Sequence, residues 1–297
     1  MDDMGARTRL ILGQEGLDRL RGTRVILAGC GAVGGYALEG MVRAGIGHIR
    51  VVDGDVFSES NLNRQVLCTR DTVGRPKAEV ACERARSINP GIDIEGLSLR
   101  VSEDTIPDIL SGEFDYLVDA IDTVANKCQL LSAVAGSDLR VYSSMGAALR
   151  TDPGLVRVAP LMKTSVCPLA ANVRKRMRSM DTSNITCVYS QEPQVATPES
   201  RDENGKSVLG SMPTIPAIFG MTLANLVIMD AVNSNRFTCW IPTVLYYEMG
   251  KIEGCIIRTL NTLRCSNIQI HTCGFSRRCP IRMTFIGTRS CPLSSTG

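Results

Sequence analysis

The chain has 297 residues, 44% apolar, 4% aromatic and 21% charged, enough for one large domain or two modest ones around a core of Val, Ile, Leu, Ala and Met. A formal net charge of +3 is too small to argue for a nucleic-acid partner from bulk charge alone. Twelve cysteines with no Cys-x-x-Cys pair, in a long chain behind the polar start Met1-Asp2-Asp3-Met4, exclude a small disulfide scaffold and weaken zinc-ribbon and thioredoxin-like readings. The expectation is reduced thiols in a cytoplasmic protein.

Residues 7 to 20 have helical apolar spacing at Leu10, Leu17 and Leu20, with Arg9 by default a surface charge. Val25 to Ala28 reads as a short strand that runs directly into Gly29-Cys30-Gly31-Ala32-Val33-Gly34. Helical spacing follows from Val33 to Arg43, Ala44-Gly45-Ile46-Gly47 stops it, and a second strand runs from Ile49 to Asp53. The Gly-x-Gly-x-x-Gly pattern carries meaning only in this strand, turn, helix, strand context. Gly29 and Gly31 let the backbone approach a phosphate, Gly34 lets the helix sit close on the strand, and the helix N-terminus offers free N–H groups to anionic oxygens. Asp53, ending the second strand, is placed to accept hydrogen bonds from a ribose hydroxyl.

Residues 77 to 88 read as a helix ending before Asn89-Pro90, with a strand within Asp93 to Val101 and a helix around Glu103 to Leu110. The run Phe114 to Asp122 is a buried strand with carboxylates at its C-terminal end, where open α/β sheets bind ligands. A helix over 124 to 135 and a strand at Leu139 to Ser143 continue the alternation. The fold expected is α/β, a doubly wound, mostly parallel, Rossmann-like sheet.

From about 150 the pattern loosens. Asp152-Pro153-Gly154 is a turn, Leu155 to Val158 a strand, and Pro168 to Met180 a helix carrying Arg174, Lys175, Arg176 and Arg178. Glu192 to Ser207 reads as a mobile surface loop. The longest apolar run, Thr214 to Val232, contains Pro216, Asn225 and Asp230, so a buried helix is favoured over a transmembrane segment. The segment after 232 is rich in Cys and Arg without clear periodicity, so the expected division is an ATP-binding domain at 1–232 and a divergent tail at 233–297.

A hydride-transferring enzyme has no use for Asn61, Arg64 and Lys77 beside the glycine turn. Those residues suit a triphosphate attacked at its α-phosphate by a carboxylate: Arg and Lys neutralise charge on the departing pyrophosphate, and an Asp holds Mg²⁺. Asp122, at a strand end facing the same crevice, is the natural Mg²⁺ ligand. An NAD-binding oxidoreductase would leave Arg64 and Lys77 unexplained, and a non-catalytic binding module would not need the full set.

Ser60-Asn61-Leu62-Asn63-Arg64-Gln65, between the glycine turn and Gly74-Arg75-Pro76-Lys77, resembles the ubiquitin-activating-enzyme-like superfamily of adenylating enzymes, of ThiF/MoeB type. Within it, Arg9-Leu10 with Gly13, Asp119-Ala120-Ile121-Asp122, Ser143 to Ala148, Asp152-Pro153, Pro168-Leu169-Ala170 and Val188 to Glu192 are similar to the tRNA threonylcarbamoyladenosine dehydratase branch. The resemblance covers about residues 7 to 232. It implies ATP and Mg²⁺ as cofactors, Gly29, Gly31, Gly34 and Asp53 at the nucleoside, and Asn61, Arg64 and Lys77 at the phosphates. It further implies Asp122 at the metal and Arg9 reaching the phosphates of a neighbouring subunit in a homodimer. The reaction implied is adenylation of the carboxylate of threonylcarbamoyladenosine in tRNA, then ring closure with release of AMP. The alternative is an activator of a ubiquitin-like or sulfur-carrier protein, with a sulfur-transfer partner. The branch has an acidic residue where Cys167 precedes Pro168; an incidental thiol is favoured over a catalytic one. The Arg174 to Arg178 cluster suits tRNA phosphates and a solvated helix face equally.

Overall fold

The computed structural model describes residues 4–194, 200–201, 207–233 and the backbone of four short strands at 248–252, 255–259, 270–273 and 283–286. Residues 1–238 and 239–297 form separate units.

The first unit is built on a seven-stranded sheet. Its strands are β1 (Arg24–Ala28), β2 (His48–Val52), β3 (Asp93–Leu97), β4 (Tyr116–Asp119), β5 (Arg140–Ser144), β6 (Val156–Pro160) and β7 (Ile185–Ser190), in the spatial order β3-β2-β1-β4-β5-β7-β6. All neighbours are parallel except β6, which runs antiparallel to β7 at the edge. The doubly wound, mostly parallel sheet expected from the alternation is present, with β7 (Ile185–Ser190) a strand beyond those the alternation predicts.

Helices α1 (Ala6–Gly22), α2 (Gly34–Ala44), α3 (Lys77–Ile88), α4 (Ile106–Leu110), α5 (Val124–Val134), α6 (Pro168–Met177) and α7 (Thr214–Asn233) complete the unit. Strand alternation divides the core into two layers. Val25 and Leu27 of β1 join a cluster with α1, α2, α3 and α7, whereas Ile26 and Ala28 join one with α4, α5 and α6. Helix α2 stops where the glycines require it: Gly45 takes φ +100 and its N–H bonds back to the carbonyls of Met41 and Val42. Helix α1 kinks at Gly13.

Among the described residues, α7 is the one helix long and apolar enough to cross a membrane. It packs instead on α2, α1 and the sheet, burying Ile215, Phe219, Leu223, Ala224 and Val227. The small residues Gly40 and Ala224 meet where α2 and α7 cross, and a Cβ on Gly220 would lie 2.4 Å from the carbonyl oxygen of Val33. This helix therefore sits tightly behind the glycine turn.

The expected loop at 192–207 includes a buried carboxylate and a short strand pair. Glu192 is buried, and Ser200–Arg201 pairs antiparallel with Ser207–Val208; residues 195–199 and 202–206 lie outside the described residues. In the second unit, Glu248–Ile252 pairs with Cys255–Thr259 and Ile270–Cys273 with Met283–Ile286, each antiparallel. The rest of that segment lies outside the described residues.

Candidate active site

The chain leaves β1 for β2 on one side and returns to β4 on the other, so the strand order reverses between β1 and β4. That is the point at which open α/β sheets bind ligands. A crevice of about 910 Å³ opens there, within the range of roughly 300–1,000 Å³ common for small-molecule sites.

One wall is the glycine turn. Gly29 has φ +94 and lies so close to β4 that a Cβ would come within 2.9 Å of the Ala120 carbonyl oxygen. Gly34 starts α2 against the turn itself, and a Cβ there would fall 1.8 Å from the Gly29 carbonyl oxygen. No side chain fits at either position. A Cβ on Gly31 would meet nothing nearer than Gln65 at 3.8 Å, so this glycine leaves open space in the crevice.

Asp53 follows β2 and ties its end to the turn. Its carboxylate accepts from the Cys30 N–H at 2.7 Å and the Asp55 N–H at 2.9 Å. Burial raises the Asp53 carboxyl above its ordinary value, and the Lys77 ammonium and the two N–H donors offset part of that. Lys77 is the first residue of α3 and largely buried; its Nζ lies 3.6 Å from Asp55 and 5.9 Å from the centroid of the Phe57 ring. Arg100 reaches the same Asp55 at 3.0 Å. Arg64 is held by its own loop, donating to the Ser60 carbonyl at 2.8 Å and to Asn63 Oδ1 at 2.9 Å. The turn, Asp53, Arg64, Lys77 and Asp122 all line the crevice.

Asp122 sits beyond β4, where its Oδ1 accepts from the Thr123 hydroxyl at 3.0 Å. Its position rests on a buried network at Asp119, the last residue of β4, three residues earlier. Asp119, Lys127 and Ser143 are fully buried: Lys127 Nζ lies 2.5 Å from Asp119 Oδ2, Ser143 Oγ donates to the same oxygen at 2.6 Å, and Asp119 Oδ1 takes the Ile121 N–H. Removing one partner would strand a buried charge at about 3–5 kcal/mol, so this network fixes the β4 end. Nothing in the sequence marks Lys127, and Ser143 stands out there only within a motif, because only the packing of α5 over β4 and β5 brings the two to Asp119.

Three of the expected residues do not line the crevice. Gly34 acts by packing, as above. Asn61 is buried and its Oδ1 accepts from the Ser58 N–H, while its carbonyl accepts from the N–H groups of Arg64 and Gln65. It shapes the loop that carries Arg64. Arg9 stands on α1, ahead of the Gly13 kink.

The opposite wall comes from the segment after β5 and the start of α6. It carries Ala147, Arg150, Cys167 and Leu169. The two non-glycine residues with positive φ among those described, Leu149 at 58° and Val166 at 62°, immediately precede Arg150 and Cys167. Such backbone costs about 1–3 kcal/mol per residue and persists only where its surroundings impose it. Glu192 supplies one such constraint, taking the N–H groups of Thr151 and Asp152 and the Thr151 hydroxyl at 2.9–3.1 Å. Burial raises the Glu192 carboxyl, but these hydrogen bonds, with a smaller contribution from the Arg150 charge, outweigh it and hold the group below its usual range. The segment Leu209 to Ser211 bridges the walls: Gly210 accepts from the Leu149 N–H and Ser211 from Asn63 Nδ2, each at 3.0 Å.

Cys30, Cys68, Cys82, Cys128, Cys167 and Cys187 are free and buried. Burial pushes the thiols of Cys30, Cys68, Cys82 and Cys128 up, and that of Cys187 to about 12, so these are unsuited to act as nucleophiles. On α6, Arg174 donates to Thr164 Oγ1, whereas Lys175 and Arg176 are exposed.

The ThiF family model matches residues 6–241. A tRNA threonylcarbamoyladenosine dehydratase of Bacillus subtilis is 32% identical over 236 residues, 76% of this chain and 93% of that protein. The crystal structure of the E. coli tRNA N6-threonylcarbamoyladenosine dehydratase in complex with ATP superposes with a TM-score of 0.70 at 29% identity, covering 77% of this chain and 94% of that one. A sulfur carrier protein adenylyltransferase of Thermus thermophilus is 40% identical over 111 residues, 37% of this chain and 41% of that protein.

Proposed function

The chain belongs to the ThiF family, and from that premise we propose that it is an ATP-dependent dehydratase acting on N6-threonylcarbamoyladenosine in tRNA. The observation that carries the reading is the convergence of the glycine turn, Arg64, Lys77 and Asp122 on one crevice at the strand-order switch. The likeness to the dehydratases over three quarters of the chain selects the substrate.

The turn and Asp53 hold the nucleoside, the ribose hydroxyls donating to the Asp53 carboxylate. Lys77 and Arg64 face the phosphates. When a carboxylate oxygen of the threonylcarbamoyl group attacks the α-phosphorus, pyrophosphate leaves, and the two cations stabilise the charge it takes away. An internal nucleophile of the same group then attacks the activated carbonyl and AMP departs with the carboxylate oxygen. The net change is loss of water and a closed ring. Activation of this kind lets an otherwise inert carboxylate acylate its neighbour.

Among the described residues no group of three or more His, Cys, Asp or Glu gathers to hold a metal. A Mg²⁺ held by the single carboxylate of Asp122 and by substrate phosphates fits that donor set. Bound there, it would supply charge neutralisation at the triphosphate.

Arg9 completes the site from a second copy of the chain in a homodimer. Leu10 and Ile11, on the same turn of α1, are 87% and 84% exposed, which suits burial against a partner. The adenylating unit occupies residues 1–232 and works in the cytoplasm, or in association with mitochondria in a eukaryote. The exposed cations of α6 would take tRNA phosphates.

The 40% identity to a sulfur carrier adenylyltransferase favours a second reading: activation of a ubiquitin-like or sulfur-carrier protein, with a sulfur-transfer partner. The test presents ATP with threonylcarbamoylated tRNA or with a carrier ending in Gly-Gly and measures AMP. Release with the tRNA is expected; release with the carrier alone would replace the first reading by the second.

A further inference from the structure

One buried cation in the crevice is not used by the triphosphate machinery. Arg150 is only 3% exposed, yet it lines the crevice on the wall opposite the glycine turn, Lys77 and Arg64. Among the described residues its Nε has no hydrogen-bond partner, and the hydrogen bond it makes there runs from Nη1 to the neighbouring Leu149 carbonyl at 3.3 Å. Its charge acts through space on the Glu192 carboxylate, but the oxygens of that group are taken by Thr151 and Asp152. A desolvated guanidinium with an unpartnered N–H is costly, and an anion arriving in the crevice would satisfy it. The loop carrying it is built to hold position: Leu149 is fixed in a left-handed conformation by Gly210, and Thr151 and Asp152 are clamped by Glu192.

We propose that Arg150 binds the carboxylate that is to be adenylated and aims it at the α-phosphate. The inference rests on the adenylation reading above and adds the residue that recognises the acceptor. The phosphates have cations on the glycine-turn side; the acceptor must enter from the other side, where Arg150 is the buried donor. A guanidinium presents paired N–H groups in a plane that matches a carboxylate, which an ammonium does not. Orienting one carboxylate oxygen toward phosphorus while binding the other shortens the search for an attacking geometry.

The test uses the full chain with a non-hydrolysable ATP analogue. Its probe is an anticodon stem-loop RNA bearing threonylcarbamoyladenosine, compared with the same RNA carrying the carboxamide. The wild type is expected to bind the carboxylate about tenfold or more tightly than the carboxamide, the effect of a charged hydrogen bond. Arg150→Gln should bind both alike at the weaker level with ATP affinity unchanged, which also shows that it folds. Arg150→Lys should recover part of the preference. Undiminished preference in Arg150→Gln overturns the proposal, and so does a loss confined to ATP binding, which would assign Arg150 to the triphosphate. If the wild type turns over only a Gly-Gly carrier, the tRNA reading fails and the same comparison, carrier against its C-terminal amide, decides Arg150. A wild type that prefers the carboxylate of neither acceptor overturns it.

Discussion

At the scale of single residues, the crevice separates groups that serve the fold from groups held against it. Asp53 belongs to the second kind. Burial raises its carboxyl, so the folded state holds the proton more tightly than the unfolded state does. Stability from that group is present below the ordinary carboxyl value near 3.8 and falls as pH rises through the raised one. At neutral pH its charge opposes folding. Asp53→Asn is therefore expected to keep or raise the melting temperature at pH 7 while ATP binding, followed by calorimetry, weakens. A lowered melting temperature with ATP binding intact would make Asp53 a structural residue. Lys77→Ala should reduce AMP formation by about a hundredfold or more, as does loss of other charge stabilisers at a reacting phosphate or carbonyl. Rate measurements at saturating ATP check this; an unchanged rate would remove Lys77 from the mechanism.

At the scale of elements, much was readable because each β1 to β5 unit satisfies its own local rules. Apolar runs of strand length alternate with helices stopped by Gly45 or by Asn89-Pro90, and α3 begins and ends at the residues expected, Lys77 and Ile88. The residues that escaped are those whose role depends on distant partners. Glu192 reads as the head of a polar loop, yet it is buried because Thr151 and Asp152 offer it N–H groups from some forty residues away. Arg150 carries no sign of burial in the letters around it. The motif suggests Asn61 and Arg64 as joint phosphate ligands, but Asn61 turns inward to shape the loop that presents Arg64. The clamp itself makes a prediction. The Glu192 carboxyl is held below its ordinary value, so its stabilisation is present above about pH 4.5 and is lost as pH falls through the lowered value. Glu192→Gln should lower the melting temperature at pH 7, with the gap closing in acid. A gap that does not depend on pH would show that the charge is not what holds the loop.

At the scale of the whole molecule, the site of one copy is taken to need Arg9 from another. Mixed dimers of Arg9→Ala and Lys77→Ala chains contain one crevice with both residues intact and one with neither. Mixing two inactive variants should therefore restore AMP formation, whereas co-expression without recovery would place Arg9 outside the catalytic site. The broader claim is that the crevice transfers adenylate to a carboxylate, with closure of the ring as the consequence. Oxygen bookkeeping tests that directly. With both carboxylate oxygens of the threonylcarbamoyl group labelled as ¹⁸O, mass spectrometry of the products should find one ¹⁸O in AMP and the other in the cyclised tRNA. AMP free of label, or label recovered in inorganic phosphate with ADP as the other product, would contradict it.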